Sequence, residues 1–198
     1  MKTSIEDFWI RCYLGSTQNT DFIQLAINRA YRDLNRTIHG MKNINPEESK
    51  KNYAQLSQIV NKIVKNLLDS NIRDQDKYDK IHEEECNILI QNFERFYIKS
   101  KDLKFHVGQA QKWINMTLKY LYAIGEKRHH LSFDNYHMFH IPIDNIIQEK
   151  LKEKGIIPLK VNWSRLDSYT EYIEYQNQVR TVFKGRIPMD VEFELFNA

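Results

Sequence analysis

The 198-residue chain carries 29 basic and 26 acidic side chains, a formal net charge of +3, with 41% hydrophobic and 28% charged residues. That balance fits one globular domain large enough to bury a core, and it excludes disordered, collagen-like and low-complexity classes. The charge is too mild to demand a polyanionic partner, yet compatible with one. No window has the apolar length of a membrane span, and the first residues lack a signal-peptide core, so no membrane partner and a cytoplasmic location are expected. Cys12 and Cys86 form no CxxC pair and have no spaced histidine partners. Two reduced, half-buried thiols are predicted.

In chain order the pattern is helical throughout, and the fold class predicted is all-α. Phe8 and Trp9 are expected as core anchors. Thr20 is placed to cap a helix whose Phe22, Leu25, Ala26, Ala30, Tyr31, Leu34 and Ile38 recur at three- and four-residue spacing, ending before Gly40. Asn45-Pro46-Glu47-Glu48 combines a cap, a first-turn proline and acids at the positive helix end. The helix it opens should bury Tyr53, Leu56, Val60, Ile63, Val64 and Leu67. Asp74 begins another, with Tyr78, Ile81, Leu89, Phe93, Phe96 and Tyr97 as its apolar stripe. No alternating pattern is long enough to build a sheet.

The rhythm breaks between Lys99 and Ala110, where Lys99, Lys101 and Lys104 flank Asp102 and Gly108 can take a positive φ. A helix is predicted from about Gln109 to Ile124, placing Lys112 in its first turn. Gly125 to Phe139 reads as a polar connection containing His129, His130 and His137, with His140 just beyond it. Regular ligand spacing is missing there, so no metal site is predicted. A further helix opens at Asp144 after Pro142 and closes at Gly155, followed by helices over Asp167–Phe183 and Pro188–Phe196.

Lys112 and Asp144 carry the chemistry. The positive helix end and partial desolvation disfavour an ammonium at Lys112, freeing a nucleophilic amine able to form a Schiff base. An N-cap carboxylate at Asp144 stays ionised, can stabilise positive charge building at a sugar C1′, and can also accept the lysine's proton. The amides of Val107, Gly108, Gln109 and Ala110, with Gln111 behind them, form a candidate nest for a DNA phosphate. Phe139 and His140 are candidates to contact an extruded base.

Val107-Gly108-Gln109-Ala110-Gln111-Lys112, followed by Pro142-Ile143-Asp144, resembles the glycine hairpin and proline-X-aspartate signature of the helix-hairpin-helix DNA glycosylase superfamily. The interval, 144 − 112 = 32 residues, is most similar to the archaeal 8-oxoguanine glycosylase branch, as is the tail Gly185-Arg186-Ile187-Pro188-Met189-Asp190 with Leu195-Phe196. The match covers roughly Lys101 to Ala198. It departs in having Ala110 at the hairpin's second glycine and in lacking an apolar-proline lead before Val107. The resemblance implies a two-lobed helical domain with a cleft between lobes, residues 1–100 forming mainly the opposing lobe and 101–198 the hairpin lobe. It implies base excision from double-stranded DNA with β-lyase activity, Lys112 as nucleophile and Asp144 as its partner. The protein is expected to act as a monomer, without a cofactor beyond a monovalent cation at the hairpin. A non-catalytic DNA-binding or interaction protein of the same fold is the alternative expectation.

Overall fold

A computed structural model describes residues 2–16, 20–38, 45–69, 71–97 and 104–197. Among them are nine α-helices and no strand: α1 (Lys2–Leu14), α2 (Phe22–Leu34), α3 (Pro46–Leu67), α4 (Gln75–Tyr97), α5 (Val107–Ile124), α6 (Glu126–His129), α7 (Asn145–Lys152), α8 (Tyr169–Val182) and α9 (Pro188–Asn197). The fold is all-α, as the periodicity predicts. Among the described residues, no helix is long and apolar enough to cross a membrane. The predicted end before Gly40 and the cationic residues Lys99 and Lys101 lie outside the described residues.

Local chemistry sets the helix starts. Asn45 Oδ1 accepts the Glu48 N–H at 2.8 Å ahead of Pro46, and Asp74 Oδ1 accepts the Lys77 N–H at 2.8 Å. Asp21, one residue beyond the predicted Thr20, caps α2 by accepting from Gln24 N–H at 2.9 Å. Asp21 directly precedes the first helical residue, Phe22, and aspartate is the stronger capping residue of the two. On α3 the predicted stripe is buried except for Tyr53, which is half-buried under Tyr31.

Helix α5 organises the core. It packs most extensively on α2, and also on α3, α4, α8 and the 3-10 turn Trp163–Arg165. Residues 107–121 are buried without interruption, although Gln109, Gln111, Lys112, Asn115, Thr117 and Lys119 are polar. Such a helix is tolerated inside a protein only when each polar group finds a partner. Gln109 Nε2 donates to Thr37 O, Trp113 Nε1 to Ile27 O and Thr117 Oγ1 to Trp113 O. Asn115 Nδ2 donates to Tyr172 Oη at 2.9 Å.

Helix α1 departs from expectation. Phe8 is 57% and Trp9 66% exposed, so they anchor no core. The helix is held instead by Leu14, and by Arg128, whose guanidinium pairs with Glu6 at 2.7 Å and Asp7 at 2.6 Å. Cys12 is exposed and Cys86 buried, both as free thiols.

Candidate active site

One face of α5 presents Lys112, Met116 and Lys119 at helical spacing to a small cavity. Asp144 reaches it from the start of α7. Its Oδ1 accepts the Ile147 N–H at 2.9 Å, and its Oδ2 accepts from Lys112 Nζ at 2.6 Å. Lys112 is 4% exposed, whereas the Asp144 side chain keeps 26% of its surface open. The two groups singled out in the sequence therefore meet directly.

The approach to Asp144 is set by the extended segment His140–Ile143. Pro142 biases Ile141 away from helix. Two side-chain amides then grip alternate residues as a neighbouring strand would. Gln111 accepts from Ile143 N–H at 3.2 Å and donates to Ile143 O at 3.0 Å. Gln176, on α8, accepts from Ile141 N–H at 3.2 Å and donates to Ile141 O at 2.9 Å. The carboxylate is thus delivered by two helices besides its own.

A second ion pair lines the same cavity. Lys119 Nζ lies 2.5 Å from Glu192 Oε2 on α9 and over the rings of Phe193 and Phe196, 4.9 and 4.6 Å from their centroids. Glu192 is 4% exposed. Burial pushes its carboxyl above the ordinary carboxylate value, against the opposing pull of Lys119 and Lys112. The enclosed space is about 30 Å³. That is room for one or two waters, not for a nucleobase. Leu195 and Phe196, near the end of α9, form part of its wall.

The hairpin residues are used differently from expectation. Helix α5 already begins at Val107, so Val107 to Gln111 are its opening residues and Lys112 stands in its second turn. The dipole contribution expected for a first-turn lysine fades by that depth. Gly108 has no positive φ. It serves close approach: a Cβ there would lie 1.6 Å from Trp163 O, and its N–H donates to Leu166 O at 3.0 Å. The Gln109 and Ala110 N–H groups both point to His106 O. All five residues are buried. The chain's own backbone occupies the place proposed for a phosphate.

Phe139 and His140 do not line the cavity. Phe139 is packed on Tyr78, Phe133 and Tyr136. His140 belongs to a buried network that sequence reasoning missed. Its Nε2 meets Asp79 Oδ1 at 2.7 Å and its Nδ1 meets Tyr172 Oη at 2.8 Å. His82 joins Asn115 Oδ1 and Tyr169 Oη, each at 2.9 Å, and Arg180 pairs with both Asp79 oxygens at 2.7 Å. Burial holds both imidazoles below their ordinary value, for His82 helped by the neighbouring His140 and for His140 opposed by Asp79. Burial works against the Asp79 charge, but the His140 and Arg180 hydrogen bonds outweigh it and keep its carboxyl below the usual range.

His129 turns back to Leu121 O at 2.9 Å, His130 takes a left-handed φ of 59° and His137 is exposed. Among the described residues, no three His, Cys, Asp or Glu side chains converge as a metal site. Lys119, Glu192 and Gln176 are the site residues that the sequence did not reveal. Lys119 lies two turns beyond Lys112 on one helix face, which is a local signal; Glu192 and Gln176 lie too far along the chain to offer one. No family model, curated protein or solved structure matches this chain.

Proposed function

We propose that the Lys112–Asp144 pair is the reactive centre of a DNA glycosylase with β-lyase activity. The observation that supports this most is the contact itself: a nearly buried lysine, 2.6 Å from a carboxylate that caps the next helix and stays partly open. Lys112, once neutral, attacks C1′ of a nucleotide and displaces its base. Asp144 offsets the positive charge that builds on the sugar as the glycosidic bond breaks. Opening of the sugar ring gives a Schiff base on Lys112, from which the 3′ strand is released by β-elimination. The side chains supply this chemistry without a metal. A flipped nucleotide enters when the Leu195–Phe196 wall moves away from α7, and Lys150 at the same rim offers a cation to its phosphate. Duplex DNA carrying 8-oxoguanine is the first substrate to test.

The small enclosed volume favours a second reading, in which the pair is an internal brace of a helical interaction protein. Incubation with duplexes holding oxidised or abasic sites separates the two. The glycosylase reading expects strand cleavage that Lys112→Gln abolishes. Binding without cleavage, or neither, supports the brace.

A further inference from the structure

Two helices that pack along a common seam ordinarily close it with apolar side chains. The seam between the last turns of α2 and the first turns of α3 stays open and polar. Asn28, Tyr31, Arg32 and the C-cap Asn35 recur at helical spacing along α2, and Pro46, Ser49, Lys50 and Tyr53 repeat that spacing along α3. With Tyr97 at the end of α4 they line a cavity of about 600 Å³, against about 30 Å³ beside Lys112. The larger space lies within the roughly 300–1,000 Å³ of small-molecule sites. None of its described lining residues belongs to the Lys112 cavity.

The groove combines fixed rings with unspent polar capacity. The Tyr31 and Tyr53 rings are half-buried, 5.0 Å apart, and both rest on the buried Trp113, at 4.9 and 6.3 Å. Asn28 Oδ1 accepts from Gln24 Nε2 at 2.7 Å and from Tyr53 Oη at 2.8 Å. Those two donors fix the amide and leave its Nδ2 without a partner among the described residues, as is the Tyr31 hydroxyl. Arg32 makes only a 3.5 Å approach to Leu14 O, and neither Arg32 nor Lys50 pairs with a carboxylate among the described residues. No described lining residue is acidic. Burial holds the Tyr31 and Tyr53 phenols above their ordinary value, so neither adds a negative charge near neutrality. A concave surface thus carries two cations with no counter-charge, which focuses an anion into it.

We propose that the α2–α3 groove binds a mononucleotide, a phosphate monoester carried on a flat heteroaromatic base. The inference is independent of reading Lys112 as a nucleophile. The planar fork of Arg32 suits phosphate, to which it gives two parallel N–H···O bonds, and Lys50 adds a second charge. The Tyr31 and Tyr53 rings offer a stacking surface of the kind that holds unpaired bases. Asn28 Nδ2 and the Tyr31 hydroxyl supply donors for the base edge or the sugar oxygens. An anion without a ring leaves the tyrosines unused, and a neutral ring leaves the two cations unmatched. A nucleotide engages both. A free nucleotide and the terminal nucleotide of a strand share this chemistry.

The test titrates the full chain by calorimetry with adenosine, guanosine, cytidine and uridine monophosphates. At least one should bind saturably with a Kd below about 1 mM, while its parent nucleoside and inorganic phosphate each bind at least roughly 10-fold more weakly. Arg32→Gln should weaken nucleotide binding roughly 10-fold. Tyr31→Leu should do so by a similar factor without altering the weak affinity for inorganic phosphate. Because Tyr31 packs on Trp113, circular dichroism reports the fold; the exposed Arg32 keeps the test decisive if Tyr31→Leu unfolds. Lys65→Gln, at an exposed position on α3 outside the groove, should change affinity by less than about 2-fold. Photo-crosslinking with an azido-adenosine monophosphate should label a peptide of α2 or α3. Competition by a terminally phosphorylated oligonucleotide names the source: displacement at lower concentration than the free nucleotide assigns a strand end, weaker competition assigns the free nucleotide, and either keeps the site. No saturable binding by the folded chain, labelling elsewhere, or equal losses from Arg32→Gln and Lys65→Gln overturns the proposal.

Discussion

Two buried polar clusters touch α5, and they differ in kind. The Asp79–His140–Tyr172–Asn115–His82 cluster is closed: its members bond to one another, Arg180 seals Asp79, and His82 and His140 are fully buried. The Lys112–Asp144–Lys119–Glu192 cluster holds its charges as two pairs around a cavity, with the Asp144 side chain partly open to it. A network whose groups are all engaged specifies one core arrangement. A pair of charges facing a cavity keeps capacity to bind or transfer a proton. Polarity inside a helical core is thus no mark of function by itself; spare capacity next to a cavity is the better indicator.

The largest test of that contrast is Asp144→Asn. Asparagine still caps α7 but leaves the buried Lys112 ammonium without its counter-charge, so stability should fall by up to about 3 kcal/mol in the folded protein, while base release and trapping fall roughly 10²–10³-fold through loss of the charge facing the sugar cation. The closed cluster should behave in the opposite way. Asp79→Ala should cost about 3–5 kcal/mol in urea unfolding, because it strands Arg180 and His140, yet leave Lys112 reactivity unaltered in the folded protein. Lys119→Met should cost a similar ~3–5 kcal/mol by stranding Glu192, and Lys119→Met/Glu192→Met should recover most of it. Gly108→Ala should cost about 3 kcal/mol, since its methyl meets the Trp163 carbonyl.

Acid should weaken the closed cluster first. His82 and His140 have native values below the ordinary 6.5. Below that value the unfolded chain binds protons that the folded chain refuses, so stability is full above about pH 6.5 and falls as pH drops toward the depressed native values. Asp79, held low, adds a further loss in stronger acid. Urea midpoints measured across this range should fall for the wild type and fall less for a His82→Asn/His140→Asn variant that folds. The smallest effect is expected at α1, where Phe8→Ser should alter stability by under about 0.5 kcal/mol because the ring is mostly in solvent.

The helices were legible because their signals are local. Asn45-Pro46, Asp74 and Asp144 act on amides three residues away, and the apolar stripes of α3 and α4 need only periodicity. The Lys112–Asp144 pairing had no such local signal: the two residues stand 32 positions apart, and it was the resemblance that joined them. What stayed hidden depends on distant partners. Lys119 reads as a surface residue until Glu192 is brought over it, Gln176 gives no signal until it grips Ile141, and Gln111, expected at a DNA phosphate, is turned inward to Ile143. The apparent hairpin glycine has a use that only packing reveals, the close passage of the Trp163 carbonyl. His140, two residues before Pro142, suggested a base contact, but Asp79, 61 residues earlier, draws it inward.

The central claim is that Lys112 is a nucleophile toward a sugar carbon in DNA. It is tested most directly by borohydride reduction of the protein on duplexes containing 8-oxoguanine or an abasic site, with the crosslinked peptide identified by mass spectrometry. The account predicts a covalent adduct at Lys112, lost in Lys112→Gln and strongly reduced in Asp144→Asn. An adduct at another residue, or no adduct from a folded protein that binds the duplex, contradicts it.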